Sequence, residues 1–452
     1  MLSETICALA TPAGGAIGII RMSGDKTFKI IEGLLKTRSG KPFVYATSKK
    51  RFYGDLYSLD GELIDDVVVN FYPAPHSYTG EDCAEVSCHG SSYILQQALS
   101  ALIAAGCRQA QPGEYTKRAY LNGRMDLSQA EAVADLISAS NKATHKIALG
   151  QLRGHISNAL AQLREKLLKL NSLLELELDF SDHEELEFAD RKELLTLAEE
   201  LQQRIEKLAN SFAAGKAIKE GIAVAIVGKP NVGKSTLLNR LLREDRAIVS
   251  NISGTTRDTI EDTTTIHGIT FRFIDTAGLR HTTDEIEKMG IERTYKKLSE
   301  AAIVIWLLDQ APSSEEENRM RSLTEEKKLI KVFNKSDLHP DTDIPKEDGI
   351  IRMSAKYDSN LDVLEEQLYQ AAGIPDITEN DVIVTNARHY DALFRADESI
   401  GRVLDGLQSG LSSDLVSEDL RICLEQLAEI TGGAITPQET LNNIFQHFCI
   451  GK

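Results

Sequence analysis

Five short segments carry residue types suited to holding a guanine nucleotide, in the order such a site needs them: GKPNVGKS (228–235), GTTRD (254–258), DTAG (275–278), NKSD (334–337) and SAK (354–356). In the first, Gly228 and Gly233 let backbone N–H groups close around phosphates. Lys234 supplies charge to the β- and γ-phosphates and Ser235 offers a hydroxyl to Mg2+, with Val232 and Thr236 beside them. Thr256 is placed to complete the Mg2+ shell, and Asp275 to hold the ion through water. Gly278 would report the γ-phosphate through its N–H, with Thr276 and Ala277 in the same turn. Asp337 can accept two hydrogen bonds from the guanine edge, a donor pair that adenine lacks. Asn334 and Lys335 brace base and loop, and in Ser354-Ala355-Lys356 the Ala355 N–H faces the guanine oxygen. The ordered set implies GTP binding and hydrolysis.

Two residues depart from the Ras-like pattern. Leu279 follows DTAG where a glutamine would orient water, and an apolar side chain cannot do that. Asp284, Glu285, Glu287 and Glu292 in the next segment are the candidates to replace it. Asn231 lies within the phosphate loop, where its amide oxygen either braces the loop or helps bind a monovalent cation. Carbonyls of Ser250, Asn251, Ile252, Ser253, Gly254 and Thr255 would complete such a cation site.

The elements that must position these groups change character along the chain. Residues 1–118 mix short β-rich segments with turns and one helix, the pattern of a compact α+β domain. Residues 119–220 turn helical: Ile156, Leu160, Leu163, Leu167, Leu170, Leu174 and Leu178 step by three and four along one face. At 221 an apolar strand, IAVAIVG, feeds the phosphate loop of an α/β unit that runs to 375. Residues 376–452 are helical again, so the fold class expected is multidomain α+β and α/β, with a Ras-like P-loop G domain inserted into one helical domain.

The 452 residues suffice for two or three domains, and 42% hydrophobic content excludes a mainly disordered chain. A net charge of −17 argues against a whole surface built for nucleic acid; an RNA substrate needs a local basic face or a basic partner. The acidic run ELELDFSDHEELEFAD (175–190) is a solvated helix end and loop or a docking surface for a cationic partner. No apolar run of about 18 residues appears, so no membrane span is expected. Six scattered cysteines fit a reduced, cytoplasmic protein, and Cys83, Cys88, Cys107 and His89 form no zinc-like spacing.

Segments outside the nucleotide boxes carry a family resemblance. TPAGGAIGIIRMSG, YTGEDCAEVSCHG, PGEYTKRAYLNGRMDLSQAEAVADLI, GTTRD, DTAGLR and the terminal FCIGK together resemble the MnmE (TrmE) family of tRNA-modification GTPases, over essentially the whole chain. The resemblance implies a tetrahydrofolate-binding-like N-terminal domain that forms a homodimer, and a K+-stimulated GTPase that fires when two G domains meet. It implies a flavoprotein partner of the MnmG type, in a heterotetramer or larger assembly. With that partner the family adds an aminomethyl or carboxymethylaminomethyl group to carbon 5 of the wobble uridine of certain tRNAs. The cofactors implied are Mg2+, K+ and 5-formyltetrahydrofolate or another one-carbon tetrahydrofolate. By motif, Asn231, Ser250, Ile252 and Thr255 would hold K+, and Glu287 would position the water. Arg21, Glu85, Arg124 and Lys452 would meet the folate, and Cys449 in FCIGK would be a functional thiol. An Era-type ribosome-assembly GTPase shares GTTRD-like boxes, but no GXXG loop in a basic context follows residue 381.

Glu287→Ala is expected to leave GTP affinity intact while turnover falls by about a hundredfold or more, the worth of a positioned acid–base group. Single-turnover hydrolysis beside a nucleotide titration measures both. Surviving turnover would move the role to another acidic residue of 284–292.

Overall fold

The computed structural model describes residues 4–45, 51–179, 191–242, 262–274, 300–338, 349–374, 378, 381–433, 438–446 and 448–451. The chain divides into two compact units. One comprises Met1–Ser138, Ala148–Glu206 and Asp391–Lys452; the other comprises Ala139–Ile147 and Lys207–Tyr390.

In the first unit, among the described residues, seven strands form one sheet: β1 (Ile6–Leu9), β2 (Ile17–Ser23), β3 (Leu35–Lys36), β4 (Arg51–Tyr57), β5 (Leu63–Tyr72), β6 (Cys83–His89) and β7 (Arg108–Gln109). Their order is β3-β4-β5-β6-β2-β1-β7, antiparallel except where β7 runs beside β1. Strand β5 alternates buried and half-buried positions, the mark of a sheet covered on one face. Val67, Val69 and Phe71 join Ile20, Met22 and Val86 in a core closed by helices α1 (Thr27–Leu34) and α2 (Ser92–Ala104). Because side chains alternate, Arg21, between Ile20 and Met22, leaves from the opposite face.

The same unit continues through α3 (Glu114–Leu121) and α4 (Leu127–Ser138). Arg118 on α3 is 1% exposed, and its guanidinium donates to Glu81 (3.2 and 2.9 Å), Glu114 (3.0 Å) and the Glu4 carbonyl (2.9 Å). A buried cation is tolerated when carboxylates pair it, as Glu81 and Glu114 do here, although the buried Nε meets no acceptor. Burial pushes the Glu114 carboxyl upward, but Arg108, the Gln111 N–H and Arg118 outweigh it and hold it below the usual range. Glu81, Glu114 and Arg118, drawn from YTGED and PGEYTKRA, therefore serve the fold.

After α5 (Lys142–Leu152) comes α6 (His155–Asp179), which buries Ile156, Leu160, Leu163, Leu167, Leu170 and Leu174, the stripe expected from its spacing. Helix α7 (Arg191–Glu220) leads from one unit into the other.

Six strands build the sheet described in the second unit: β8 (Ile222–Val227), β9 (Asp262–Ile266), β10 (Ile269–Phe273), β11 (Ile303–Leu308), β12 (Lys328–Phe333) and β13 (Ile350–Arg352). Their order is β13-β12-β11-β8-β10-β9, parallel except for the β9–β10 hairpin. Every residue of β8 and β11 is buried. Val224 and Ile226 enter one core cluster, while Ala223, Ala225 and Val227 enter another, so both faces of the sheet are covered. Helices α8 (Lys234–Leu241), α9 (Ser314–Leu323) and α10 (Leu361–Ala372) belong to this α/β unit.

The chain closes with α11 (Ala387–Ser409), α12 (Ser413–Thr431) and α13 (Gln438–Phe445). Within the first unit α12 packs along α6, and Arg395–Glu429 and Arg402–Asp419 ion pairs, both 2.7 Å, tie α11 to α12. No described helix is long and apolar enough to cross a membrane.

Leu167→Ala, at a fully buried point of α6, is expected to destabilise the first unit by about 2–5 kcal/mol. Urea unfolding followed by far-UV circular dichroism measures it, and a change under about 1 kcal/mol would mean that the stripe is not core.

Candidate functional site

The carboxyl ends of parallel strands gather the nucleotide residues, as open α/β sheets require. The phosphate loop leaves β8, NKSD follows β12, and SAK follows β13. Lys234 opens α8, so the loop delivers phosphates to a helix N-terminus. Its ammonium donates to the carbonyls of Gly228 and Lys229, both at 2.7 Å, within the loop that it serves. Ser235 is half-buried and Thr236 exposed in the same first turn, and Asn231 adopts a left-handed φ of 61°, a conformation asparagine tolerates.

One side chain joins the halves of this site. Asn334, 3% exposed, donates through Nδ2 to the Val232 carbonyl (2.8 Å) and accepts the Ala355 N–H on Oδ1 (2.9 Å). The Ala355 N–H expected at the guanine oxygen is thus given to Asn334, and a base would share that proton. Ser354 donates to Asp337 Oδ1 (2.6 Å), fixing the carboxylate while leaving lone pairs for guanine. Lys335, at φ 60°, pairs with Asp309 (2.9 Å) at the end of β11. Lys356 lies over the Tyr357 ring, 5.0 Å from its centroid. Gly233 sits at φ 104°, and a Cβ there would overlap Asn334 Nδ2, so two constraints require glycine.

A second cluster lies on the sheet face of the first unit opposite α1 and α2. Arg21 and Glu85 are direct cross-strand partners on β2 and β6. Arg21 donates to Glu85 Oε1 through Nε (3.0 Å) and Nη2 (2.9 Å), and Tyr72 donates to Oε2 (3.2 Å). The pair is worth about 0–1 kcal/mol at 23% exposure of each side chain, so its value is orientation. Burial, then the Glu85 carboxylate, raises the Tyr72 pKa, which keeps the phenol protonated and donating. Burial likewise raises that of Tyr78, whose ring lies 5.6 Å from the Arg21 guanidinium. Arg21, Tyr72, Tyr78, Cys83 and Glu85 line a cavity of about 220 Å³.

The chain end reaches this cavity. Arg21 Nη1 donates to the Gly451 carbonyl (3.3 Å), and the Gly113 N–H donates to the Cys449 carbonyl (3.4 Å). Gly451 has φ 98°, and a Cβ on it would overlap the Leu9 carbonyl. Of the six cysteines, Cys449 is the exposed one. Arg124 is exposed, its stem 3.3 Å from a Cβ built on Gly80, two residues beyond Tyr78.

Ser250, Asn251, Ile252, Ser253, Gly254, Thr255, Thr256, Asp275, Thr276, Ala277, Gly278, Glu287 and Lys452 lie outside the described residues, as do Leu279, Asp284, Glu285 and Glu292.

A family model for the MnmE helical domain matches residues 127–449, and one for the GTP-binding protein TrmE N-terminus matches 5–124. A tRNA modification GTPase MnmE from Phocaeicola vulgatus is 50% identical, covering 99% of each chain. One from Bacteroides fragilis is 52% identical over the whole of both, and one from Cytophaga hutchinsonii is 46% identical over 100% of this chain and 98% of its own. The chain belongs to the MnmE family of tRNA modification GTPases. It is a GTPase, and the helical-domain match spans the G domain because that domain is inserted within it.

Within this MnmE-family chain the sequence reading missed Arg240, Asp309, Tyr72, Tyr78 and Cys83. Asp309 follows an apolar strand, and Tyr78 and Cys83 lie in the YTGEDCAEVSCHG segment, positions that could have marked them; Arg240 and Tyr72 carry no local signal. Asp65, Asp66 and His89 also approach one another, with ligand atoms within 4.8 Å. Asp65 accepts both the His89 N–H (2.7 Å) and Nδ1 (2.8 Å), so that cluster is satisfied internally.

Gly233→Ala is expected to weaken GDP binding by at least about tenfold, since either Asn334 or the loop must move. Titration with a fluescent-labelled guanine nucleotide measures it, and unchanged affinity would show that the loop tolerates a Cβ.

Proposed function

We propose that this GTPase acts, with an MnmG-type flavoprotein partner, to add an aminomethyl or carboxymethylaminomethyl group to carbon 5 of the wobble uridine of certain tRNAs. The observation that carries the reading is full-length identity of about half to relatives named for tRNA modification. The protein works in the cytoplasm as a homodimer. GTP turnover drives a conformational change and does not activate the transferred carbon.

The described residues suit the groups that this activity needs. Lys234 and the α8 N-terminus counter phosphate charge, Ser235 contributes a hydroxyl to Mg2+, and Asn231 contributes an amide oxygen to K+. Held by these residues, the two cations would neutralise phosphate charge. Asp337, held by Ser354, reads the base.

A one-carbon tetrahydrofolate fits the Arg21–Glu85 cavity in one respect above all: an oriented carboxylate beside two tyrosines suits the amidine-like edge of a pterin. Pockets that bury whole drug-sized ligands measure about 300–1,000 Å³. A cavity of about 220 Å³ therefore takes the ring and leaves the glutamate tail outside. Because Arg21 is bound to Glu85, it works at the ring end; the exposed Arg124 is the cation available to the tail.

Nucleoside analysis of tRNA from cells lacking this chain is expected to show loss of the carbon-5 substituent at the wobble uridine, restored by the wild-type gene. Unchanged modification would leave a GTPase with a different target.

A further inference from the structure

Arg240 is 115 residues from Ala355 in the base-reading SAK box, yet its guanidinium is spent there. It lies in the last turn of α8, the helix that receives the phosphates. Its Nε donates to the Ala355 carbonyl (3.2 Å), Nη2 to the Lys356 carbonyl (2.8 Å) and Nη1 to Asp358 Oδ2 (2.7 Å). Three donors of one planar fork thus hold Ala355 and Lys356 of the SAK box and Asp358 just beyond it. A lysine could not reproduce this, because it presents a single point charge.

The loop needs such a clamp. Asp358 and Asn360 both occupy the left-handed region, at φ 56° and 58°, which non-glycine residues populate sparsely. Asn360 is secured by donating to the Arg352 carbonyl (2.7 Å), and Asp358 by Arg240. The clamped peptide is the one that faces the base. Ala355 turns its carbonyl to Arg240 and its N–H to Asn334, where the guanine oxygen is expected to share it, and its neighbour Ser354 orients Asp337. Displacing this peptide moves both groups that recognise guanine, while the phosphate loop keeps its own contacts.

We propose that Arg240 is a positioning residue for guanine selectivity, coupling the phosphate-binding helix to the base-reading loop through the Ala355 peptide. It touches neither phosphate nor reacting atoms. Its removal should therefore lower affinity for the guanine base and spare what the phosphates contribute.

The test compares GDP and ADP, displacing a fluorescent nucleotide from the full-length protein, for wild type, Arg240→Gln and Arg240→Lys. In Arg240→Gln the GDP affinity is expected to fall about tenfold while ADP, held by its phosphates, changes less than about twofold, so that selectivity narrows. The KM for GTP should rise with GDP Kd while kcat at saturation stays within about twofold. Arg240→Lys should recover only part of the selectivity. Parallel losses for GDP and ADP, or a fall in kcat at unchanged KM, would overturn the proposal and assign Arg240 to the helix or to hydrolysis. Asp358→Asn leaves α8 untouched and provides a second measurement should Arg240→Gln fold poorly. It is expected to narrow the same ratio by a smaller factor, and an unchanged ratio in it would count against the clamp.

Discussion

The nucleotide site depends on one buried amide. Asn334 has a donor and an acceptor on a planar group, and it uses the first on Val232 and the second on Ala355. Neither loop holds its shape by regular secondary structure. What fixes their separation is an amide whose two ends cannot move independently, and Gly233 is the residue that lets it approach. An unmet buried donor or acceptor costs about 1–3 kcal/mol, so loosening either bond is opposed from both sides. Phosphate recognition and base recognition therefore share one anchor, Asn334, while Arg240 and Ser354 fix the base-reading side alone.

The second cluster follows a different logic. Strand register places Arg21 opposite Glu85, and Tyr72 reaches the same carboxylate from β5. These are side chains of a sheet face, oriented by cross-strand neighbours and not by burial. The tail adds the Gly451 carbonyl, which brings the exposed Cys449 within two residues of the cavity. The last residues of the chain thus become part of a site built mostly from the first hundred. Helices α4 to α7 and the G domain stand between them in sequence.

Much of this was legible in the sequence, for physical reasons. A phosphate loop needs glycine, lysine and serine at fixed spacing, so its identity, and that of NKSD and SAK, could be read directly. The α6 stripe was equally plain, because a long helix must repeat apolar residues every three or four positions. Arg240 was not legible: an arginine late in a helix usually faces water, and only the β13 loop reveals its partners. The Arg21–Glu85 pair was named through resemblance, but as two separate ligand contacts. Register converts them into one bonded unit, and register between strands 64 residues apart is not written in either strand alone. Glu81, Glu114 and Arg118 stood inside motifs that suggested a site, whereas their bonds serve the core.

One side chain, Asn334, holds both halves of the nucleotide site. The direct measurement is the affinity of Asn334→Ala for GDP and for ADP, each compared with wild type. If Asn334 braces both loops, the two affinities fall together, since the phosphate loop loses its anchor along with the base-reading loop. If ADP binding is unchanged while GDP binding collapses, Asn334 serves the base alone, and the account of a single coupled site is wrong.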